Sequence, residues 1–251
     1  MAVILRSGAV FLHVPKTGGS WVNAVLADQG LIRTYVKPKH VSACRFREYA
    51  RHHPELYVYY CLKHGPRWHA RTRGTFRFFF VRHPLAWYES IWKYMSGRRW
   101  RPFPERPSPF SSPWHPKSTL YRHASDDFNE FMTRVLDDQP GYVTNLYHYY
   151  DAIPADFVGH QEHLADDLIE VLKRLNEKFD EERIRRFPRI NESGRVRPPS
   201  WAPEVRARAE ALEYAALVKY GYVRERAGQS APMTTRWCRH MADASAPALT
   251  A

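Results

Sequence analysis

The sequence predicts an α/β fold: a P-loop-like, three-layer α/β/α arrangement around a central parallel sheet. Three observations carry that expectation. Short apolar runs rich in β-forming residues alternate with segments of helical periodicity. The run from Ala9 to Val14 empties into the loop Pro15-Lys16-Thr17-Gly18-Gly19-Ser20, and a helix-like pattern begins at Trp21. The chain has 251 residues, enough for one α/β domain with a full core, so a second domain is not required.

The elements follow in order. A helix is expected from about Trp21 to Asp28, with Gly30 as its C-terminal stop. Residues 34–56 are basic and irregular and read as a loop with a short helix around 45–51. The segment LYVYYCL, 56–62, is rich in β-formers and predicts a second buried strand. RFFFV, 77–81, predicts a third. Pro84 suits the first turn of the helix that follows, where its missing N–H costs nothing. In that helix Trp87, Tyr88, Ile91, Trp92 and Met95 are spaced for one apolar core face. Residues 98–118, loaded with Arg, Pro, Ser and Trp, read as a long acceptor-side lid. Further helices are expected through Phe128, Phe131, Met132, Val135 and Leu136, from about Glu162 to Leu175, and from Pro203 to near Gly221. ADFVGH, 155–160, reads as a short strand. The domain is therefore placed at 1–226, and the Ala/Pro/Ser/Thr-rich tail 227–251 is predicted to be disordered.

Composition narrows the partners. Lys and Arg number 38 against 26 Asp and Glu, a formal charge of +12 that suits a polyanionic partner without choosing one. Three cysteines, Cys44, Cys61 and Cys238, show neither CxxC spacing nor an even framework, so neither a disulfide scaffold nor a zinc site is expected. No signal peptide precedes the first strand and no apolar run is long enough to span a bilayer, which reads as a soluble cytoplasmic protein.

The loop after the first strand has the chemistry of a phosphate cradle. Loop amides and a helix N-terminus present unsatisfied N–H groups to one spot, and the helix dipole favours an anion there. Gly18 and Gly19 allow close backbone approach, Lys16 supplies a point charge, and Thr17 and Ser20 offer hydroxyls. Lys16 precedes the glycine pair, whereas a Walker A loop carries its lysine after the glycines, so a common ATP- or GTP-hydrolysing loop is not expected. Arg82 stands at the C-terminal end of a predicted strand, where α/β folds place ligand groups, and Ser90 follows about two helical turns on. An arginine fork and a hydroxyl so spaced suit one phosphate, or else a carboxylate pair and a helix interface.

Together, PKTGGSW at 15–21 and FVRHP with Ser90 resemble the PAPS-dependent sulfotransferases, and most closely the carbohydrate-type branch and its bacterial relatives. DFVGHQEHLADDLIEVLKRL, RINES and KYGY are also similar to that branch, so the resemblance spans about 9–223. It departs at His83, where Asp or Asn is common. The resemblance implies 3′-phosphoadenylyl sulfate (PAPS) as donor, its desulfated form PAP as product, and no metal. It implies that Pro15 to Ser20 grip the 5′-phosphosulfate and that Arg82 and Ser90 grip the 3′-phosphate. Lys16 would stabilise the departing phosphate oxygen. Trp21 matches an adenine-stacking tryptophan in position, or is a core tryptophan. The acceptor hydroxyl needs a general base, and two histidines are candidates. His64, after the predicted strand 56–62, is favoured over His40, whose KHVSA context resembles a GHxTA element. His13 reads as structural. Lys63 either assists at the sulfuryl group or is simply exposed. Glu162 either orients a catalytic group or begins a helix. Arg195 and Arg197 either contact the 3′-phosphate or belong to a solvated basic loop.

The acceptor is expected to carry a hydroxyl, with sugars or aromatic alcohols suited to the 98–118 loop and to Tyr142, Tyr147, Tyr149 and Tyr150. Oligomeric state is not legible. Two other classes compete. A divergent P-loop kinase-like phosphotransferase would need an acidic strand end for magnesium, but 77–81 ends in Arg82. A basic nucleic-acid-binding module lacks any RRM, KH or zinc-finger signature, so no nucleic-acid partner is expected.

Overall fold

The computed structural model describes residues 2–37, 40, 50, 54–65, 76–100, 119–190 and 199–224. These form two compact units, the first from residues within 1–82 and 150–190, the second from 83–100, 119–149 and 199–224.

The first unit is built on a five-stranded sheet in the order β3-β1-β2-β4-β5. Its strands are β1 (Ala2–Leu5), β2 (Val10–Phe11), β3 (Ile32–Val36), β4 (Arg77–Val81) and β5 (Phe157–His160). The fold class is α/β, and the parallel part of the sheet is β2-β4-β5. β1 runs antiparallel to both its neighbours, so the sheet is mixed, with its parallel part in the centre and at β5. The reason is local. Only residues 6–9 separate β1 from β2, a hairpin link, whereas a parallel return needs a crossover of about a dozen residues. Gly8 at φ 96 makes that turn, with the Leu5 N–H donating to the Ala9 carbonyl at 2.8 Å.

Alternation along the strands sends Val3, Leu5, Phe11, Phe78 and Phe80 into one buried cluster. Two helices supply the other half of it. α1 (Gly19–Asp28) contributes Trp21, Val22, Val25 and Leu26, and α6 (Leu164–Arg174) contributes Leu168, Ile169, Val171 and Leu172. Phe79 and Val81, on the opposite face of β4, are equally buried, which is why that strand reads as an unbroken apolar run. Each fully buried phenylalanine stabilises the fold by about 1.5–3 kcal/mol. α1 ends as the sequence predicts, at Gly30 with φ 65. Gly30 N–H donates to Ala27 and Leu31 N–H to Leu26, closing a Schellman motif.

The predicted strand at 56–62 is instead part of a helix, α2 (Pro54–His64). Its buried residues, Leu56 and Tyr60, are four apart, the spacing of a helical face rather than of a strand. Glu55 in the first turn and Lys63 and His64 in the last complement the helix dipole. The short helix expected around 45–51 lies, apart from Ala50, outside the described residues, as do 101–118 of the expected lid and the tail 227–251.

The second unit is helical. α3 (Pro84–Ser96) has Pro84 in its first turn and buries Trp87, Tyr88, Ile91, Trp92 and Met95, the predicted face. α4 (Phe128–Asp138) is capped by Asp127, whose side chain accepts from the Glu130 N–H at 2.8 Å. α5 (Tyr142–Tyr150) has no counterpart among the elements expected from sequence. Tyr142, Tyr147 and Tyr150 on it are fully buried, so these tyrosines are core rather than an acceptor surface. A short α7 (Glu181–Arg185) belongs to the first unit. The single helix expected from Pro203 to Gly221 is two, α8 (Pro203–Leu212) and α9 (Tyr214–Lys219), broken at Glu213.

Glu213 stands at that break. Its carboxylate is fully buried and accepts from Tyr88 Oη (2.6 Å), the Val143 and Thr144 amides (3.0 and 2.7 Å) and Thr144 Oγ1 (2.7 Å). It thus caps α5 from a distant part of the chain. Burial pushes the carboxyl above the usual range, and the donors around it pull in the other direction.

Candidate functional site

Because β2, β4 and β5 are parallel, their C-terminal ends open on one edge of the sheet. The segment leading to α1 follows β2, Arg82 follows β4, and residues 161–164 follow β5. Ligands of α/β folds gather at such an edge.

The loop between β2 and α1 is tightly wound. Lys16 has φ 66 and Gly18 φ 81, so a non-glycine residue is held in the left-handed region close to a glycine that adopts it freely. Thr17 is buried, and its hydroxyl donates to the Val14 carbonyl at 3.0 Å. That hydrogen bond helps to hold the turn together. α1 then starts at Gly19 with no side-chain cap and no acidic residue in its first turn. The Trp21 and Val22 amides both turn back to the Gly18 carbonyl. Among the described residues the Gly18, Gly19 and Ser20 amides have no hydrogen-bond partner. An uncapped helix start with free donors is suited to an anion.

Two side chains brace the loop, one remote in sequence and one just before it. A Cβ on Gly18 would stand 2.6 Å from a Leu164 methyl, with Gln161 next to it at 3.5 Å. A Cβ on Gly19 would stand 2.3 Å from the His13 ring. Both glycines therefore allow close packing, and Gly18 also supplies the left-handed backbone. The signal for Leu164 was present in the DFVGHQEHLADDL segment, but only the parallel pairing of β4 and β5 shows that it meets the loop.

The two candidate bases sit in different places. His40 is buried, its ring 4.9 Å from that of His13, and its Nδ1 lies 2.9 Å from the His13 carbonyl oxygen. A carbonyl only accepts, so Nδ1 carries a proton and donates it to that oxygen. His64 ends α2, with Nε2 2.8 Å from Thr34 Oγ1 on the edge strand β3 and the Tyr60 ring stacked at 6.1 Å. Desolvation, helped by the positive charges of Lys63 and Arg33, holds His64 below the ordinary histidine range. Of the two, His40 is the one against the residue that backs the glycine loop.

The remaining expected residues fall as follows. Pro15 is buried in the turn, and Lys16, Ser20 and Arg82 are half-buried at the strand ends. Trp21 is buried, edge-on to Phe187 at 6.0 Å. Lys63 is exposed, over the Tyr59 ring. Glu162 occupies a single 3₁₀ turn ahead of α6. Ser90 is on α3 in the second unit, next to Glu89, which accepts from Trp201 Nε1 at 2.9 Å. Arg195 and Arg197 lie outside the described residues.

Among the described residues no group of three or more His, Cys, Asp or Glu is arranged to hold a metal ion, and no helix is long and apolar enough to cross a membrane. No curated protein and no solved structure matches the chain. A family model described as the sulfotransferase family does match, over residues 3–214, and so runs through β1, the glycine loop, Arg82 and the α5 cap. The chain belongs to the sulfotransferase family.

Proposed function

We propose that the chain moves a sulfuryl group from PAPS to a hydroxyl acceptor, a glycan or a small-molecule alcohol, with PAP as the second product. The observation that carries this reading is the uncapped start of α1, where the Gly18, Gly19 and Ser20 amides lie free close to Lys16. These groups fit the donor's 5′-phosphate: they are all hydrogen-bond donors or cations, with no carboxylate in the first turn to compete.

When bound, PAPS supplies an activated sulfuryl group whose S–O bond to the 5′-phosphate breaks as the S–O bond to the acceptor forms. The chain's own groups then divide the work. Lys16 and the loop amides stabilise the negative charge that develops on the departing phosphate oxygen. Arg82 holds a second phosphate group of the nucleotide. The assignment of Ser90, Arg195 and Arg197 to that phosphate rests on sequence. His40 takes the proton of the acceptor hydroxyl at Nε2, the ring nitrogen not turned to the His13 carbonyl. His64, favoured by sequence, is the other candidate base; its Nε2 lies 2.8 Å from Thr34 Oγ1.

Thermal unfolding with PAP, against ATP, 5′-ADP and AMP, tests the reading. At about a hundredfold over its dissociation constant, a ligand adds about 2.7 kcal/mol. For a chain of this size that is a shift of roughly 5–10 °C. A PAP-selective shift that Arg82→Ala abolishes is the expected result. A magnesium-dependent ATP shift with none for PAP overturns it.

A further inference from the structure

We infer that the His13 side chain is a positioning residue that couples the phosphate loop to the candidate base His40, an inference that rests on reading residues 15–20 as the donor's cradle. His13 is 3% exposed and touches both partners. On one side its ring lies against Gly19, so closely that a Cβ there would stand 2.3 Å from Cδ2 and 2.6 Å from Nε2. On the other it meets the His40 ring edge-to-face, with centroids 4.9 Å apart and planes at 73°. The Phe11 ring lies nearly parallel at 6.2 Å. The His13 carbonyl meanwhile holds the Nδ1–H of His40.

One residue therefore sets the His40 tautomer with its backbone and fills the space between His40 and the first residue of α1 with its ring. Packed interiors transmit displacements because they have no slack. A movement of the first turn of α1 towards or away from a bound phosphate shifts the surface on which the His13 ring rests. With Phe11 behind it, the ring passes that shift to His40. Occupancy of the cradle and the orientation of the base become linked, without any contact between His40 and the phosphate itself.

The test uses the full chain labelled with ¹⁵N-histidine, with PAP as the probe, and the His13→Ala and His13→Phe variants. In the parent, His40 is expected as the Nδ1–H tautomer, and PAP is expected to move the ring resonances of both His13 and His40 and the titration midpoint of His40. His13→Ala should still give a PAP thermal shift while the His40 response is lost. His13→Phe, which keeps a ring in the gap, should restore it. A parent in which PAP raises the melting temperature but leaves His40 unmoved overturns the coupling, as does a His13→Ala protein with the full parental response. If His13→Ala does not fold, the parent spectra decide alone. A parent with no PAP shift at all overturns the cradle reading instead.

Discussion

Replacing Glu213 by alanine removes the acceptor for four donors at once. The carboxylate is fully buried, and the groups left behind are the Val143 and Thr144 amides, Thr144 Oγ1 and Tyr88 Oη. The Tyr88 hydroxyl is itself fully enclosed, and burial and the adjacent carboxylate hold it un-ionised well above the ordinary tyrosine range, so it acts only as a donor here. A buried donor without an acceptor costs about 1–3 kcal/mol. The hydroxyls can rotate towards other oxygens, but the two amides are fixed at the first turn of α5 and cannot. Two orphaned amides plus the cavity give a loss of about 3–5 kcal/mol, or roughly 6–20 °C in melting temperature. Glu213→Gln keeps the shape and one carbonyl acceptor, and so strands one of the amides, for about 1–3 kcal/mol. Urea unfolding followed by circular dichroism measures both. The order parent, Gln, Ala is expected. An alanine variant within about 1 kcal/mol of the parent would refute the argument, because it would mean that α5 needs no remote cap.

Lys16→Ala should lower PAP formation from PAPS by about 10²–10³-fold across a panel of sugar and aromatic alcohol acceptors, while a PAP thermal shift survives through the loop amides. His40→Ala should reduce the same rate by about 10²–10⁴-fold and His64→Ala by far less; the reverse pattern would return the base to α2. His123 provides the pH dependence. It is buried in the second unit, with Nε2 3.1 Å from the Asp138 carboxylate, and desolvation outweighs that carboxylate to hold it below the ordinary histidine range. The unfolded chain therefore binds the proton first, and stability present above about pH 6.5 is lost as pH falls below it. Urea midpoints from pH 7.5 to 5 should show this slope, and His123→Gln should flatten it.

Much of the candidate site is legible in the sequence. PKTGGSW combines a lysine, two glycines and a helix start in consecutive residues, and FVRHP puts an arginine directly after an apolar strand. Both are local patterns, and the backbone conformation they need is encoded in the residues themselves. Local reading fails where composition and periodicity disagree. LYVYYCL has the residues of a strand, yet the four-residue spacing of Leu56 and Tyr60, with Glu55 at one end and Lys63 at the other, makes it a helix. Once 56–62 is helical, His64 loses its place after a strand, and with it the main reason to prefer it.

The sequence by itself thus determined the residue make-up of the candidate cradle, the α/β class and the family, because each resides in contiguous residues or in short-range periodicity. Only the tertiary structure decided which distant residues meet that cradle. Strand order places Leu164 against Gly18, more than a hundred residues away. Burial places His13 between Gly19 and His40 and turns Glu213, an ordinary member of a run of helical residues, into the cap of α5. Apart from His13 and Gly19, such pairings are long-range. They depend on which surfaces exclude water together, and no short window of sequence contains both partners.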